Sequence, residues 1–259
     1  MEVFNKMALY LQAATVLRSP HWTGFPLLPK SACASLPYSR AAYNSFIIWI
    51  KRLALPSAQV IVDVGANHGD FANAASTCFP KAKVMLVEPL PKMQLCLDKI
   101  IRDQHKKWRL MKCALGAEPG TLPLFVDEAH DDISSLVGFS PEYLKANPRA
   151  QSSEKLVCEV STLDKIAAEA KIDRIDLLKI DVEGFEFEVI KGAAQILGKT
   201  CAVIVEVSLV RQTGKTSLLV EMLRLLTNHG FEVINVIPSL FDPQETWRPR
   251  EFNILARRS

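Results

Sequence analysis

Six apolar runs of strand length set the terms for what this chain can fold into: Val60–Val64, Val84–Val87, Leu110–Leu115, Leu177–Val182, Ala202–Val207 and Val233–Ile237. Most are separated by segments long enough for a helix. Runs that are apolar at consecutive positions suit strands buried on both faces, and strand–helix alternation implies a parallel sheet with helices on both sides. One intervening helix is expected from about Gly184 to Leu197. There Phe185, Val189, Ala193 and Ile196 share a face while Glu186, Glu188, Lys191 and Gln195 point away. Another is expected from about Ser217 to His229, ending at Gly230. Ahead of the first strand, Tyr43, Phe46, Ile47, Ile50 and Leu53 form a helical stripe that stops near Pro56.

Two features depart from a plain alternating sheet. An insertion from about Leu122 to Asp164 carries short strands at Leu122–Val126 and Leu156–Val160 around a polar stretch with His130, Asp131, Asp132, Ser134 and Ser135. The last apolar run, Phe252–Ala256, follows Val233–Ile237 through the connection Pro238–Pro249, which leaves no room for a crossover helix. That strand should therefore run antiparallel beside its predecessor.

Composition narrows the class. With 259 residues, 49% of them hydrophobic, the chain can bury a sizeable core, and no apolar run approaches the roughly 18 residues of a membrane span. The basic excess lies in the first 58 residues, where Lys6, Arg18, Lys30, Arg40, Lys51 and Arg52 face Glu2 alone, a net +5 against +3 for the whole chain. The remainder is slightly acidic, without the broad basic face of a nucleic-acid enzyme. Cations in the run Arg102–Arg109 fall where a helix ends, a position its dipole favours. Residues 1–40 are read as an appendage, partly helical, with Val3, Phe4, Met7, Leu11 and Ala14 at helical spacing. That helix either packs on the main domain or on a second copy, or serves as a membrane-surface or targeting segment. Residues 41–259 form the main domain. Six dispersed cysteines without a Cys-x-x-Cys pair point to a reducing, cytoplasmic setting and suggest neither a zinc site nor a disulfide framework.

The sharpest local signal is Val60–Val64 followed by Gly65-Ala66-Asn67-His68-Gly69-Asp70, a strand ending in a glycine turn that opens a helix. Its Gly-x-Asn-x-Gly spacing differs from the Gly-x-Gly-x-x-Gly of nicotinamide and flavin sites. Asp63, inside the strand end, suits a cationic, amine-bearing ligand better than a phosphate. Glu88 ends the second strand, where an acid accepts hydrogen bonds from both hydroxyls of a ribose. A solvated strand end is the plainer account of Glu88 alone. Taken with Asp63 and the glycine turn, it calls for an adenosyl ligand without phosphates, a description that S-adenosylmethionine fits.

The fourth long strand continues as Lys179-Ile180-Asp181-Val182-Glu183-Gly184. Alternation puts Lys179, Asp181 and Glu183 on one face, and ligands of open α/β sheets bind at the carboxyl ends of strands. Asp181 and Glu183 are candidates for a general base or a substrate clamp. A helix start with Glu183 near its N-terminus, and Lys179 neutralising Asp181, is the alternative.

On these residues the chain resembles the FkbM-like family of S-adenosylmethionine-dependent methyltransferases. The matching stretches are Asp63–Gly69, Val87-Glu88-Pro89, Thr162-Leu163-Asp164, Asp176–Gly184 and Lys191-Gly192-Ala193, within about residues 43–257. The resemblance implies a Rossmann-like class I methyltransferase fold, a mostly parallel seven-stranded sheet with an antiparallel C-terminal strand and helices on both faces. It also implies that Asp63, Gly65, Asn67 and Gly69 line the methionine end of the cofactor, that Glu88 binds the ribose, and that Asp181 and Glu183 face the reacting centre. The stretch Asp132–Leu136 looks like the family's Ser-containing segment, which brings Ser135 to the cofactor. Acceptors in the family are hydroxyl oxygens of sugars and natural products. His68, inside the glycine turn, is a further base candidate, as is His130. Glu206, at the end of the fifth strand, either contacts the acceptor or partners a neighbouring group. The competing readings are a nicotinamide-dependent oxidoreductase and a non-catalytic adenosyl-binding protein of the same fold.

Overall fold

The computed structural model describes residues 40–126, 134–136, 138, 154–209, 218–241 and 247–258. The N-terminal appendage before residue 40, and His130, Asp131 and Asp132 in the insertion, lie outside them. Strands β1 (Val60–Val64), β2 (Lys83–Val87) and β3 (Trp108–Met111) precede a small sheet of β4 (Ala114–Leu115), β5 (Gly120–Val126), β6 (Ser134–Ser135) and β7 (Glu154–Ser161). Then come β8 (Ile175–Ile180), β9 (Thr200–Ser208), β10 (Glu232–Phe241) and β11 (Pro249–Arg257). The helices are α1 (Arg40–Arg52), α2 (Asp70–Cys78), α3 (Pro91–Asp103), α4 (Leu163–Glu169), α5 (Glu186–Lys191) and α6 (Leu219–Asn228).

The main sheet has seven strands in the order β10-β11-β9-β8-β1-β2-β3. All pair in parallel except β11, which is antiparallel to both β9 and β10. The expected antiparallel strand is present. It wedges between β9 and β10, because β10 crosses over first and the chain turns back into the gap. One face of the sheet, with Ile61, Leu86, Leu177 and Ile204, packs on α1, α2 and α3 through Ile47, Phe71 and Leu97. The other face, with Val62, Val87, Leu178 and Val205, packs on α4, α5 and α6 through Ile166, Val189 and Met222. Near-continuous Val/Ile/Leu strands are the expected price of covering both faces.

Three local expectations are corrected. The apolar run Leu110–Leu115 is not one strand: β3 ends at Met111, and Ala114–Leu115 pairs instead with β7 in the second sheet, of order β4-β7-β5-β6. The run is continuous in hydrophobicity but divided between two sheets. The helix expected over 184–197 is shorter, α5 followed by a 3₁₀ turn at Ile196–Lys199 that carries the same apolar face onward. Within it Glu186 does not point to solvent. It is 3% exposed, and its Oε1 accepts hydrogen bonds from the amides of Val182 (3.2 Å) and Gly184 (3.0 Å), closing the turn that follows β8.

Polar residues of the Thr162-Leu163-Asp164 stretch are structural. Thr162 Oγ1 caps α4 by accepting from the Lys165 amide at 3.1 Å. Asp164 receives the amides of Gln195 and Ile196, the latter at 2.8 Å, capping the 3₁₀ turn. Asp176 Oδ2 binds the amides of Gln59 (2.7 Å) and Val60 (3.0 Å), tying the start of β8 to the start of β1. No helix among the described residues is long and apolar enough to cross a membrane.

Candidate active site

The carboxyl ends of β1, β2, β3, β8 and β9 open into a cavity of about 510 Å³, roofed by the second sheet through Leu124, Ser134 and Leu136. Its walls bring together Gly65, Asn67, His68, Glu88, Lys179, Asp181, Glu183 and Glu206. These residues come from four separate stretches of chain.

The glycine turn is held by its own backbone. Gly65 and Ala66 amides both donate to Val87 O (3.0 and 3.1 Å), and the Gly69 amide donates to Ala66 O (2.7 Å). Gly65 has φ 75°, and a Cβ there would collide with the carbonyl oxygen of Asp181. The turn therefore needs glycine both for its conformation and because β1 and β8 approach so closely. Gly69 has φ 81°, and a Cβ there would press on Leu97 Cδ2 at 3.0 Å and Trp108 Cζ3 at 3.4 Å. Gly69 lies outside the cavity lining, so its role is to let α2 pack on α3 and β3.

Glu88 is 4% exposed and forms part of the cavity wall. Its Oε2 accepts from the Asn67 amide (2.8 Å) and its Oε1 from the Leu90 amide (2.9 Å). Each oxygen retains a lone pair. Burial pushes this carboxyl up to about 7, against the pull of those two amides. A ligand that donates two hydroxyls would favour the ionised form.

Asp63 behaves differently from expectation. It is fully buried, lies beneath the cavity instead of lining it, and pairs with the protein's own cation, its Oδ1 being 3.4 Å from Lys179 Nζ. Alternation along β1 drives the side chain under the glycine turn, where Lys179 of β8 arrives opposite it in register. Lys179 also donates to Gly65 O (2.7 Å) and meets Asp181 Oδ2 at 3.3 Å. Burial raises Asp63 to about 6 despite Lys179, while Asp181 and Asp63 hold Lys179 protonated well above its ordinary range against its own desolvation. One buried ammonium thus joins the glycine turn, the strand below it and the partly exposed acid above it.

Asp181 follows β8 directly, its amide donating to Val64 O at 3.1 Å, and its side chain is 31% exposed toward the cavity. Glu183 has φ 54° in the turn that Glu186 closes. Ser135 is 1% exposed and does not line the cavity; its Oγ donates to Glu183 O at 2.8 Å, supporting the turn from the second sheet. Neighbouring Ser134 faces the cavity instead. His68 lines the cavity with a buried Nδ1 that has no hydrogen-bond partner among the described residues.

Glu206 was weighed from sequence but not placed in the site, and the fold puts it there. Ile180 and Val205 are register partners of β8 and β9, so Asp181 and Glu206 emerge side by side. Carboxylate oxygens of Asp181, Glu183 and Glu206 all lie within 4.8 Å of one another. Two unit charges at that separation repel by on the order of 3 kcal/mol at an effective dielectric of 20, so the trio cannot sit fully ionised without relief. Lys179 supplies part of that relief at Asp181, and a shared proton or a cationic ligand would supply the rest. Alternation along β9 hints at Glu206, but only the strand order identifies its neighbour.

Comparison with known proteins identifies the family and the fold. The family model described as the methyltransferase FkbM domain matches residues 63–233. Methyltransferase sdnD of Sordaria araneosa is 28% identical over 79% of this chain and 83% of its own length. The 2-O-methyltransferase NoeI of Sinorhizobium fredii is 27% identical over 58% of this chain and 63% of its own length, and the hexuronic acid methyltransferase AglP of Haloferax volcanii is 30% identical over 60% of each. Among solved structures, magnesium protoporphyrin IX methyltransferase (ChlM) from Synechocystis PCC 6803, with bound SAM, superposes with a TM-score of 0.50 at 11% identity, covering 98% of this chain and 97% of that one. The shared feature there is the class I methyltransferase fold.

Proposed function

The chain belongs to the FkbM methyltransferase family, and from that premise we propose that it transfers a methyl group from S-adenosylmethionine to a hydroxyl oxygen of a sugar, glycan or natural product. The observation that carries the cofactor is the pairing of Glu88 with a glycine turn whose amides are already engaged. Gly65, Ala66 and Gly69 donate to backbone carbonyls and Asn67 donates to Glu88. A dinucleotide pyrophosphate needs such amides free at the helix N-terminus. A ribose diol needs only the carboxylate.

When bound, S-adenosylmethionine supplies a methyl group on a positively charged sulfur. Glu88 holds the ribose diol, and Gly65 and Asn67 border the amino-acid end. Asp181, with Lys179 Nζ 3.3 Å from its Oδ2, receives the acceptor's hydroxyl proton, with His68 and Glu183 flanking the same space. A positioned base contributes about 10²- to 10⁴-fold, and alignment of acceptor and methyl carbon contributes more. The second sheet excludes water from above and borders the acceptor. The acceptor class draws support from the 2-O-methyltransferase and hexuronic acid methyltransferase named among the relatives.

The test has two stages. Calorimetric titration with S-adenosylmethionine, S-adenosylhomocysteine and NADH should show binding of the two adenosyl ligands alone; NADH binding by itself would overturn the reading. Transfer of a labelled methyl group to a panel of hydroxylated glycosides and polyols should then find a product whose formation Asp181→Asn lowers by 10²-fold or more. Adenosyl binding with an unimpaired Asp181→Asn enzyme would remove Asp181 from the chemistry.

A further inference from the structure

The mouth of the cavity holds more acid than a single-base reaction requires. Asp181 and Glu206 stand on adjacent strands, one residue beyond the register pair Ile180 and Val205, with carboxylate oxygens within 4.8 Å. Glu206 is oriented from behind by two neutral donors, Ser239 Oγ of β10 at 3.2 Å and Asn253 Nδ2 of β11 at 3.4 Å, both on Oε1. The charged groups around it are Asp181 and Glu183 from the end of β8 and Glu251 from β11. Lys179 of β8 is the cation of this group, and its ammonium is shared by Asp181, Asp63 and Gly65 O. Lys179 is in direct contact with Asp181 and acts on Glu206 only at longer range, and burial among three acids raises Glu206 well above the carboxylate range. Glu206 is thus the member of the pair that favours the neutral form.

We propose that Asp181 and Glu206 act as one carboxyl pair: it shares a proton in the resting site, releases that proton when the cationic methyl donor enters, and regains a proton from the acceptor hydroxyl during transfer. This rests on S-adenosylmethionine being the donor. In the step, the acceptor oxygen bonds the methyl carbon with a lone pair and the carbon–sulfur electrons remain on sulfur, whose positive charge disappears. The hydroxyl proton passes to the pair, its bonding electrons staying on oxygen. The site's net charge is thus unchanged between the occupied states before and after transfer, which limits the reorganisation the buried groups must undergo.

The two adenosyl ligands differ by the sulfonium charge and share the ribose and amino-acid parts, so the pair predicts a difference in proton release that no acceptor is needed to observe. Calorimetric titrations in two buffers of different ionisation enthalpy count the protons. They are run at about pH 6, where the α-amino group of either ligand is protonated. S-adenosylmethionine should release up to one proton more than S-adenosylhomocysteine, and Glu206→Gln should abolish the difference while both ligands still bind. Equal proton counts in the wild-type protein overturn the proposal, and that comparison stands even if the variant fails to fold. A difference that survives in Glu206→Gln also overturns it, as does saturable heat from magnesium chloride alone that Glu206→Gln removes, since the acids would then hold a metal. Failure of both ligands to bind would instead overturn the cofactor reading beneath it.

Discussion

Replacing Lys179 by methionine removes the cation that lets Asp63 be ionised in a fully buried position. In the wild-type protein Asp63 titrates at about 6 against an ordinary 3.8. Each unit of that rise is about 1.4 kcal/mol, so the buried carboxylate costs about 3 kcal/mol relative to the unfolded chain above pH 6. Without Lys179 the carboxylate becomes costlier still, until taking up a proton is cheaper. At pH 8 proton uptake costs about 6 kcal/mol relative to an exposed carboxyl, which caps the charge-related destabilisation of the variant at about 3 kcal/mol. At pH 6 both proteins carry Asp63 largely or half protonated, and the difference falls below about 1 kcal/mol. The sign follows from a raised acid: the folded state binds the extra proton, so stability is fully present below the unfolded value of 3.8, falls as pH rises toward the folded pKa, and does not change further above it. Urea unfolding of wild type, Lys179→Met and Asp63→Asn/Lys179→Met at pH 6 and pH 8 measures this. The single variant should lose markedly more at pH 8 and the double variant should lose that pH dependence. A penalty independent of pH, or larger at pH 6, would refute the account of Lys179 as the counter-ion of Asp63.

Other outcomes follow from the same geometry. Glu88→Gln turns one acceptor oxygen into a donor facing a backbone amide, so S-adenosylhomocysteine affinity measured by calorimetry should fall by about 1.5–3 kcal/mol per lost charge-assisted hydrogen bond; unchanged affinity would remove Glu88 from the ribose site. Because burial holds Glu88 at about 7 and the ligand prefers it ionised, adenosyl affinity of the wild-type protein should decline as pH drops below about 7, a trend that Glu88→Gln should flatten. Gly65→Ala forces a Cβ into the Asp181 carbonyl at positive φ, and thermal melting should show a loss of about 1–3 kcal/mol or more. Glu186→Ala leaves the Val182 and Gly184 amides without this acceptor, and should cost about 1–3 kcal/mol in urea unfolding.

Much of this was legible from the linear order of residues. Runs as apolar as Val60–Val64 or Ala202–Val207, each broken by a single acid, admit few fates other than doubly buried strands. A glycine turn after the first strand and an acid after the second place a ligand at their shared carboxyl end, whatever the detailed packing. Glu88 and Asp181 were found there because each follows a strand directly, and His68 and Glu183 because each lies in the short turn after a strand, so the local order of residues alone places them at the mouth. Residues whose partners lie far along the chain were less legible. Asp63 reads as a ligand contact until β8 brings Lys179 across from it, 116 residues later, and turns it into an internal counter-ion. Glu186 reads as solvent-facing by helical period until the turn after β8 folds back on it. Leu110–Leu115 reads as one strand until two sheets divide it. Strand existence is a local property, set by side-chain size and alternation. Strand order, register and the sharing of one ammonium or one proton among several acids are properties of long-range pairing, and for that reason the carboxyl pair of Asp181 and Glu206 is visible only once β8 and β9 lie side by side.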